Sequence, residues 1–305
     1  MEAAGIVVEG VRRSFGSTQA VRDMTLSAAP GRVTALIGPN GAGKTTLMLM
    51  LATLLAPDAG TIRIAGLDPA ADAAGVRAAL GWMPDVLGSW ASLTTRTTLQ
   101  LTGRLHRMPK DRAAARADEL IALVGLEGLA DRPTRVLSRG QKQRLSLARA
   151  LVHDPAVLLL DEPASGLDPE ARVELRTLVR RLADDGRTLL VSSHVLAELE
   201  EMADDAVYVQ EGRTVDPERV AALRTAARPW RLRALDPAAL DAALAARGLA
   251  GTQDHLGRLV EVADEAAAAD LLAALVADGV RITAFGPAAG EFERTFLELA
   301  KEQER

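Results

Sequence analysis

The nonapeptide Gly38-Pro-Asn-Gly-Ala-Gly-Lys-Thr-Thr46 fits the pattern G-x-x-x-x-G-K-[ST] without a mismatch. Its setting fits too. Arg32-Val-Thr-Ala-Leu-Ile37 before it reads as a buried strand, and Leu47-Met-Leu-Met-Leu-Ala-Thr-Leu-Leu55 after it reads as a helix. Strand, glycine loop and helix together are the context in which this pattern binds phosphate. Glycines let backbone N–H groups converge on phosphate oxygens, and the helix N-terminus adds partial positive charge. Lys44 would reach the β- and γ-phosphates of a nucleotide, and the Thr45 hydroxyl would ligate Mg²⁺. The alternative is an ordinary glycine-rich turn closing a βα unit; a full match in this setting argues against it.

Upstream, Ile6-Val-Val8 with Val11, and Val21 with Met24-Thr-Leu26, read as short strands. Phe15 stands in the polar turn Arg12-Arg-Ser-Phe-Gly-Ser17. It is either a core side chain or an aromatic placed to stack on an adenine ring, and the spacing leaves both open. Thr61-Ile-Arg-Ile-Ala65 alternates as a half-buried strand ending at Gly66. A short helix from Ala70 to Leu80 leads into Gly81-Trp-Met-Pro-Asp85, and Thr94 to Arg132 has a helical pattern.

Leu137-Ser-Arg-Gly-Gln-Lys-Gln-Arg144 then precedes a helical apolar face, Leu145 to Leu151. Ser138 is a good N-cap and Gly140 leaves amides open at a helix start, a second anion-binding arrangement. Taken alone, a capped surface helix would explain it equally well. Ala156-Val-Leu-Leu-Leu160 is a continuous apolar run ending in Asp161-Glu162-Pro163. Such a run suits a strand buried on both faces of a parallel sheet, and its carboxyl end is where open α/β sheets place ligands. In the phosphoryl-transfer template Asp161 holds Mg²⁺ and Glu162 polarises an attacking water. Ser165-Gly-Leu-Asp168 follows as a tight turn, then a helix over 170–184, a strand over 188–191 and Ser192-Ser-His194. A structural and a catalytic role are both open for His194. His106, His153 and His255 have no comparable context and read as structural or surface residues.

The chain has 305 residues, room for two domains, with 48% hydrophobic and 25% charged residues. A net charge of −5 argues against a dedicated nucleic-acid binder. The absence of cysteine removes disulfides, thiolate metal sites and thiol catalysis. Met1 to Gly10 lacks the basic region and apolar core of a signal peptide, and no run approaches the roughly 20 apolar residues of a bilayer span.

Together these pieces, over about residues 5–213, resemble the ATPase subunit of an ATP-binding cassette (ABC) transporter. The resemblance implies a P-loop nucleoside-triphosphatase fold with a RecA-like core, a β-subdomain and a helical insert at about 86–150. The Walker A loop (Gly38, Pro39, Asn40, Gly41, Ala42, Gly43, Lys44, Thr45 and Thr46) would bind ATP and Mg²⁺, with Phe15 stacked on adenine. Walker B would supply Asp161 for the metal and Glu162 as general base, and His194 would sense the γ-phosphate and orient the water. Asp168 lies in what resembles the D-loop. Ser138, Arg139, Gly140 and Gln141 correspond to the signature that closes the nucleotide site of a second copy, head to tail. Two positions depart from the family. Arg139 replaces the signature's first glycine, and Asp85 stands where the Q-loop glutamine is expected, still an oxygen ligand suited to Mg²⁺.

The expected partners are a second copy of the chain and a separate integral-membrane permease, reached through residues near Asp85 to Thr98, with no nucleic acid. The expected location is the cytoplasm, peripheral on the inner face of the cell membrane. Residues 216–228 read as a linker helix and 229–305 as a small ferredoxin-like α/β domain of regulatory or accessory type, with a final helix from Glu291 to Lys301. That ending is similar to the closing helix of many exporter ATPase subunits, so the expected activity is ATP hydrolysis driving export of a drug, antibiotic or lipid. A soluble cassette switch acting on ribosomes or DNA is the alternative; its usual two cassettes or coiled-coil insertion are not seen here. Glu162 and His194 argue against a non-hydrolysing binding module.

Overall fold

The computed structural model describes residues 5–303, except 87 and 89. Met1–Ala4, part of the stretch read for a signal peptide, and Leu87 and Ser89 of the expected permease-facing loop lie outside the described residues. The chain divides into two compact units, Met1–Val215 and Asp216–Arg305.

The first unit begins β1 (Ile6–Phe15), β2 (Thr18–Ala28), β3 (Val33–Ile37), α1 (Lys44–Leu51), β4 (Ala59–Ile64), α2 (Ala73–Ala79) and β5 (Leu80–Met83). It continues with α3 (Thr95–Leu105), α4 (Lys110–Leu123), α5 (Arg139–Leu151), β6 (Val157–Asp161), α6 (Pro169–Asp184), β7 (Thr188–Ser192), α7 (Leu196–Met202), β8 (Asp205–Gln210) and β9 (Arg213–Thr214). Its sheet runs in the order β4-β1-β2-β9-β8-β3-β7-β6-β5.

The apolar runs of β3, β6 and β7 are buried at every position, as strands covered on both faces must be. They pair in parallel, with β7 between β3 and β6. The register sets Leu36 beside Ser192 and Ser192 beside Asp161, so the three strands deliver their carboxyl ends to one edge. The antiparallel β1, β2 and β4 form the β-subdomain. Met24, Val21 and Ile62 there share one core with Leu47, Met48, Met50 and Leu51 of α1, each contributing roughly 1.5–3 kcal/mol of burial.

The helix after the glycine loop runs 44–51 rather than 47–55; Thr53 takes φ 61 and turns the chain away. The helical run expected over 94–132 is broken. Thr94 caps α3 through the Thr97 amide at 3.0 Å, Arg107 reverses the chain at φ 61, and α4 restarts after Pro109. Strands β5, β8 and β9 were not expected from the pattern.

The second unit runs α8 (Pro217–Thr225), β10 (Arg228–Ala234), α9 (Pro237–Ala246), β11 (Gly251–Asp254), β12 (Gly257–Val262), α10 (Glu265–Ala277), β13 (Ile282–Pro287) and α11 (Glu291–Gln303). Its sheet has the order β11-β12-β10-β13 with every pair antiparallel, the βαββαβ ferredoxin-like arrangement. Trp230, Leu232, Leu244, Val260 and Leu275 build its core. Strand β11 was missed; its hairpin forms because Asp254 accepts the amides of Leu256 and Gly257. The stretch read as a linker helix carries α8, within the second unit. The buried Arg294 guanidinium of α11 donates to the carbonyls of Arg224 and Ala226 at 2.8 and 2.9 Å, which ties the end of α8 to α11.

In the first unit the His106 and His153 rings stack at 3.8 Å, almost parallel. Burial pushes the His153 imidazole down to about 4, and the His106 ring pushes the same way against the Leu80 carbonyl and Asp154. The folded state therefore holds His153 neutral where the unfolded chain, near 6.5, takes up a proton. This contribution is complete above about pH 6.5 and is lost as pH falls towards 4. In denaturant titrations between pH 7.5 and 5, wild type should lose more stability than His153→Gln; parallel pH dependences would refute this.

Candidate active site

The glycine loop joins β3 to α1, and its backbone requires glycine at Gly43. That residue has φ 96, and a Cβ there would lie 2.6 Å from the Ala20 carbonyl. Gly43 is also the N-cap of α1 with no side-chain cap bond. The first-turn amides, at Lys44, Thr45 and Thr46, thus have no capping side chain, and the helix presents its positive end there. The Lys44 ammonium donates to the carbonyls of Gly38 at 2.6 Å and Pro39 at 3.1 Å, folding back over the loop. Burial lowers its pKa, while Glu162 and Asp161 pull the other way.

Asp161 ends β6 and is buried. Burial raises its pKa; the Ser192 hydroxyl, which donates to Oδ1, counters that, Glu162 and Asp85 raise it further, and Lys44 lowers it. The next residue, Glu162, has φ 52, left-handed backbone that a residue with a Cβ adopts only when its surroundings hold it there. Its amide donates to the Ser192 carbonyl at 3.1 Å, and its carbonyl accepts from Gln143 Nε2 at 2.8 Å and from the Ser165 amide at 3.1 Å. The carboxylate lies 2.7 Å from His194 Nδ1, and the His194 side chain is 66% exposed. The imidazole can therefore reach both the carboxylate and a ligand in solvent.

Lys44, Asp161, Glu162, His194 and Asp85 converge on the carboxyl-end edge of the sheet. The remaining sequence candidates lie otherwise. Phe15 is 49% exposed with the Arg13 guanidinium 5.1 Å from its ring centre, so it is a surface aromatic and the core alternative falls. Ser138 and Gln141 form a reciprocal capping box on α5. Arg139 reaches across to the Ser165 hydroxyl at 2.7 Å. Asp168 caps α6 through the Ala171 amide at 2.9 Å. Among the described residues, the hydrogen bonds of Ser138, Arg139, Gln141 and Asp168 include none to residues 38–46. Among the described residues, the side chains of the signature segment are thus engaged with α5 and Ser165 rather than with the glycine loop. Sequence reasoning overlooked Ser192 and Gln143. A hydroxyl ending a buried strand beside an acidic strand end, and a Gln on an apolar helix face, were the available signals.

The donor set suits a hard cation beside phosphate. A buried carboxylate raised by desolvation and by two neighbouring acids gains from a cation, and the Thr45 hydroxyl stands at the start of α1. No three acidic or histidine side chains among the described residues form a metal cluster. Magnesium, which keeps waters and takes most other oxygens from phosphates, fits such a sparse set.

An uncapped glycine turn, a buried acid across one intervening strand and a His–Glu pair define a nucleoside-triphosphate-hydrolysing P-loop protein. The family model for the ABC transporter matches residues 21–165. The daunorubicin resistance ATP-binding protein DrrA3 of Streptomyces coeruleorubidus is 40% identical over 215 residues, 70% of this chain and 68% of the relative. The sulfate/thiosulfate import ATP-binding protein CysA of Thermosynechococcus vestitus is 41% identical over 210 residues, 68% of this chain and 62% of the relative. Among solved structures, cbiO1 of Clostridium perfringens, part of the ABC transporter complex cbiONQ, superposes with a TM-score of 0.64 at 28% identity, covering 72% of this chain and 92% of that one. The chain belongs to the ABC transporter family as an ATP-binding subunit, and it is an ATPase.

Gly43→Ala should destabilise the first unit by about 1–3 kcal/mol, from the left-handed backbone and the clash with Ala20. Denaturant unfolding measures this, and unchanged stability would refute the geometry.

Proposed function

We propose that the chain hydrolyses ATP to drive export of a drug, antibiotic or lipid through a separate membrane permease, working as a head-to-tail pair of copies. The observation that supports hydrolysis is the meeting of Glu162 with His194 beside Asp161 and Lys44. Glu162 takes the proton from the attacking water, and His194, 2.7 Å away, orients that water and senses the γ-phosphate. Lys44 neutralises charge on the β- and γ-oxygens, while the uncapped α1 amides bind phosphate directly. Thr45, Asp161 and Asp85 would hold Mg²⁺, which would supply charge neutralisation at the phosphates. Exposed Phe15 stacks on the adenine. Ser138, Arg139, Gly140 and Gln141 of a second copy, with Asp168 behind them, close the site.

No helix among the described residues is long and apolar enough to cross a membrane. An import protein is as similar over the same region, so the cassette does not set direction. Export rests on the daunorubicin-resistance relative and on the closing helix α11. The second unit then acts as a regulatory or dimer-stabilising accessory.

Glu162→Gln should lower kcat by about 10²-fold or more with ATP affinity retained, as for loss of a general base; near-normal turnover would sink the assignment. Lys44→Ala should weaken ATP binding by about ten- to a hundredfold, the loss of charge-assisted hydrogen bonds, read by equilibrium titration. Inverted vesicles carrying the chain with its permease should accumulate an anthracycline on adding ATP. Sulfate uptake by right-side-out vesicles would reverse the direction.

A further inference from the structure

We propose that Gln143 is a positioning residue for Glu162, an inference that rests on the reading of Glu162 as the general base. Gln143 lies on α5 and is 1% exposed, among Leu145, Leu147 and Leu151 of the same helix. Its Nε2 donates to the Glu162 carbonyl at 2.8 Å. That acceptor fixes which end of the amide is nitrogen, because only the NH₂ can donate. Its Oε1 is buried with no hydrogen-bond partner. A buried amide with an orphaned oxygen is worse for packing than a leucine of similar size. The favourable part of its position is therefore the bond it donates.

That bond acts on a strained residue. At φ 52 the Glu162 backbone sits in a region that relaxes readily once its flanking peptides are free. The preceding peptide is held by the Ser192 carbonyl and the following one by Gln143 and the Ser165 amide. The direction of the Cα–Cβ bond follows from these two peptide planes. The carboxylate's placement 2.7 Å from His194 Nδ1 therefore depends on a buried side chain whose bond goes to the backbone and not to the carboxylate itself. The helix carrying Gln143 starts at the capped turn Ser138–Gln141, so one hydrogen bond ties that turn to the catalytic glutamate. Ser165, the other donor to the Glu162 carbonyl, also receives the Arg139 guanidinium, so two residues of the signature segment's helix hold the same backbone.

The test uses the full chain with Gln143→Leu, Gln143→Glu, Glu162→Gln and the double variant Q143L/E162Q. It reads steady-state kcat and KM for MgATP, mant-ATP binding, thermal unfolding, and single-turnover hydrolysis for the slow variants. Q143L and Q143E, which both lack the amide donor, should each lower kcat by about tenfold or more. Mant-ATP affinity should stay within about threefold and the unfolding midpoint within a few degrees. In the E162Q background, Q143L should change the residual rate by less than about twofold, because its effect passes through Glu162. A folded Q143L or Q143E with kcat near wild type overturns the proposal. So does an equal loss in both backgrounds, which marks a merely structural role. Should Q143L fail to fold, the shape-conserving Q143E and the pair Q143E/E162Q are read by the same criteria. Normal turnover by E162Q alone would instead remove the underlying reading of Glu162, whatever the Gln143 variants do.

Discussion

The carboxylate of Asp161 is held out of water at the end of a strand buried at all five positions. An isolated charge there would be costly, and the carboxyl is indeed raised by burial. Its tolerance depends on Ser192 donating from the adjacent strand and on Lys44 supplying positive charge from the glycine loop. The sheet order makes this possible. With β7 between β3 and β6, the loop after β3 and the acid ending β6 face each other across one strand, and that strand ends in a hydroxyl. The same electrostatic arrangement lowers Lys44 by burial and ties its charge to Asp161 and Glu162.

One residue beyond Asp161 the constraint becomes conformational. Glu162 occupies left-handed backbone, a cost of about 1–3 kcal/mol that persists only where surroundings over-determine it. The bonds from Ser192, Gln143 and Ser165 do so from three separate elements of the first unit. Strain at this position is thus carried by β7, by α5 and by the turn before α6, the parts that place the carboxylate against His194. The signature segment meanwhile spends its own polar groups on a helix cap and on Ser165.

The parts legible in the sequence were those encoded in contiguous residues. The glycine loop, the all-apolar strands and the Asp-Glu-Pro strand end each carry their signal within ten positions, so a phosphate loop with Lys44 and an acidic strand end at Asp161 and Glu162 could be read directly, whereas His194 stayed open until the family resemblance singled it out. What stayed hidden depends on contacts distant in sequence. The β11 strand, Gly251-Thr-Gln-Asp254, has no apolar alternation and exists because Asp254 builds a turn and β12 offers an edge. The break between α3 and α4 turns on a positive φ at Arg107, which no local composition announces. Phe15 could be core or surface until its hairpin was placed. Asp168 and Gln141 also cap helices within the chain, a use that their sequence positions did not announce. Gln143 was silent because its partner is a backbone carbonyl 19 positions away.

That one chain supplies half of each nucleotide site can be put to a cross-linking measurement. The sequence contains no cysteine, so Asn40→Cys with Ser138→Cys, added to Glu162→Gln, sets one thiol in each half-site. Oxidation in the presence of ATP should yield a disulfide-linked dimer, and oxidation without nucleotide should leave monomer. A link within one chain, or a dimer that forms equally with and without ATP, would mean that the glycine loop and the signature segment do not complete one another across two copies.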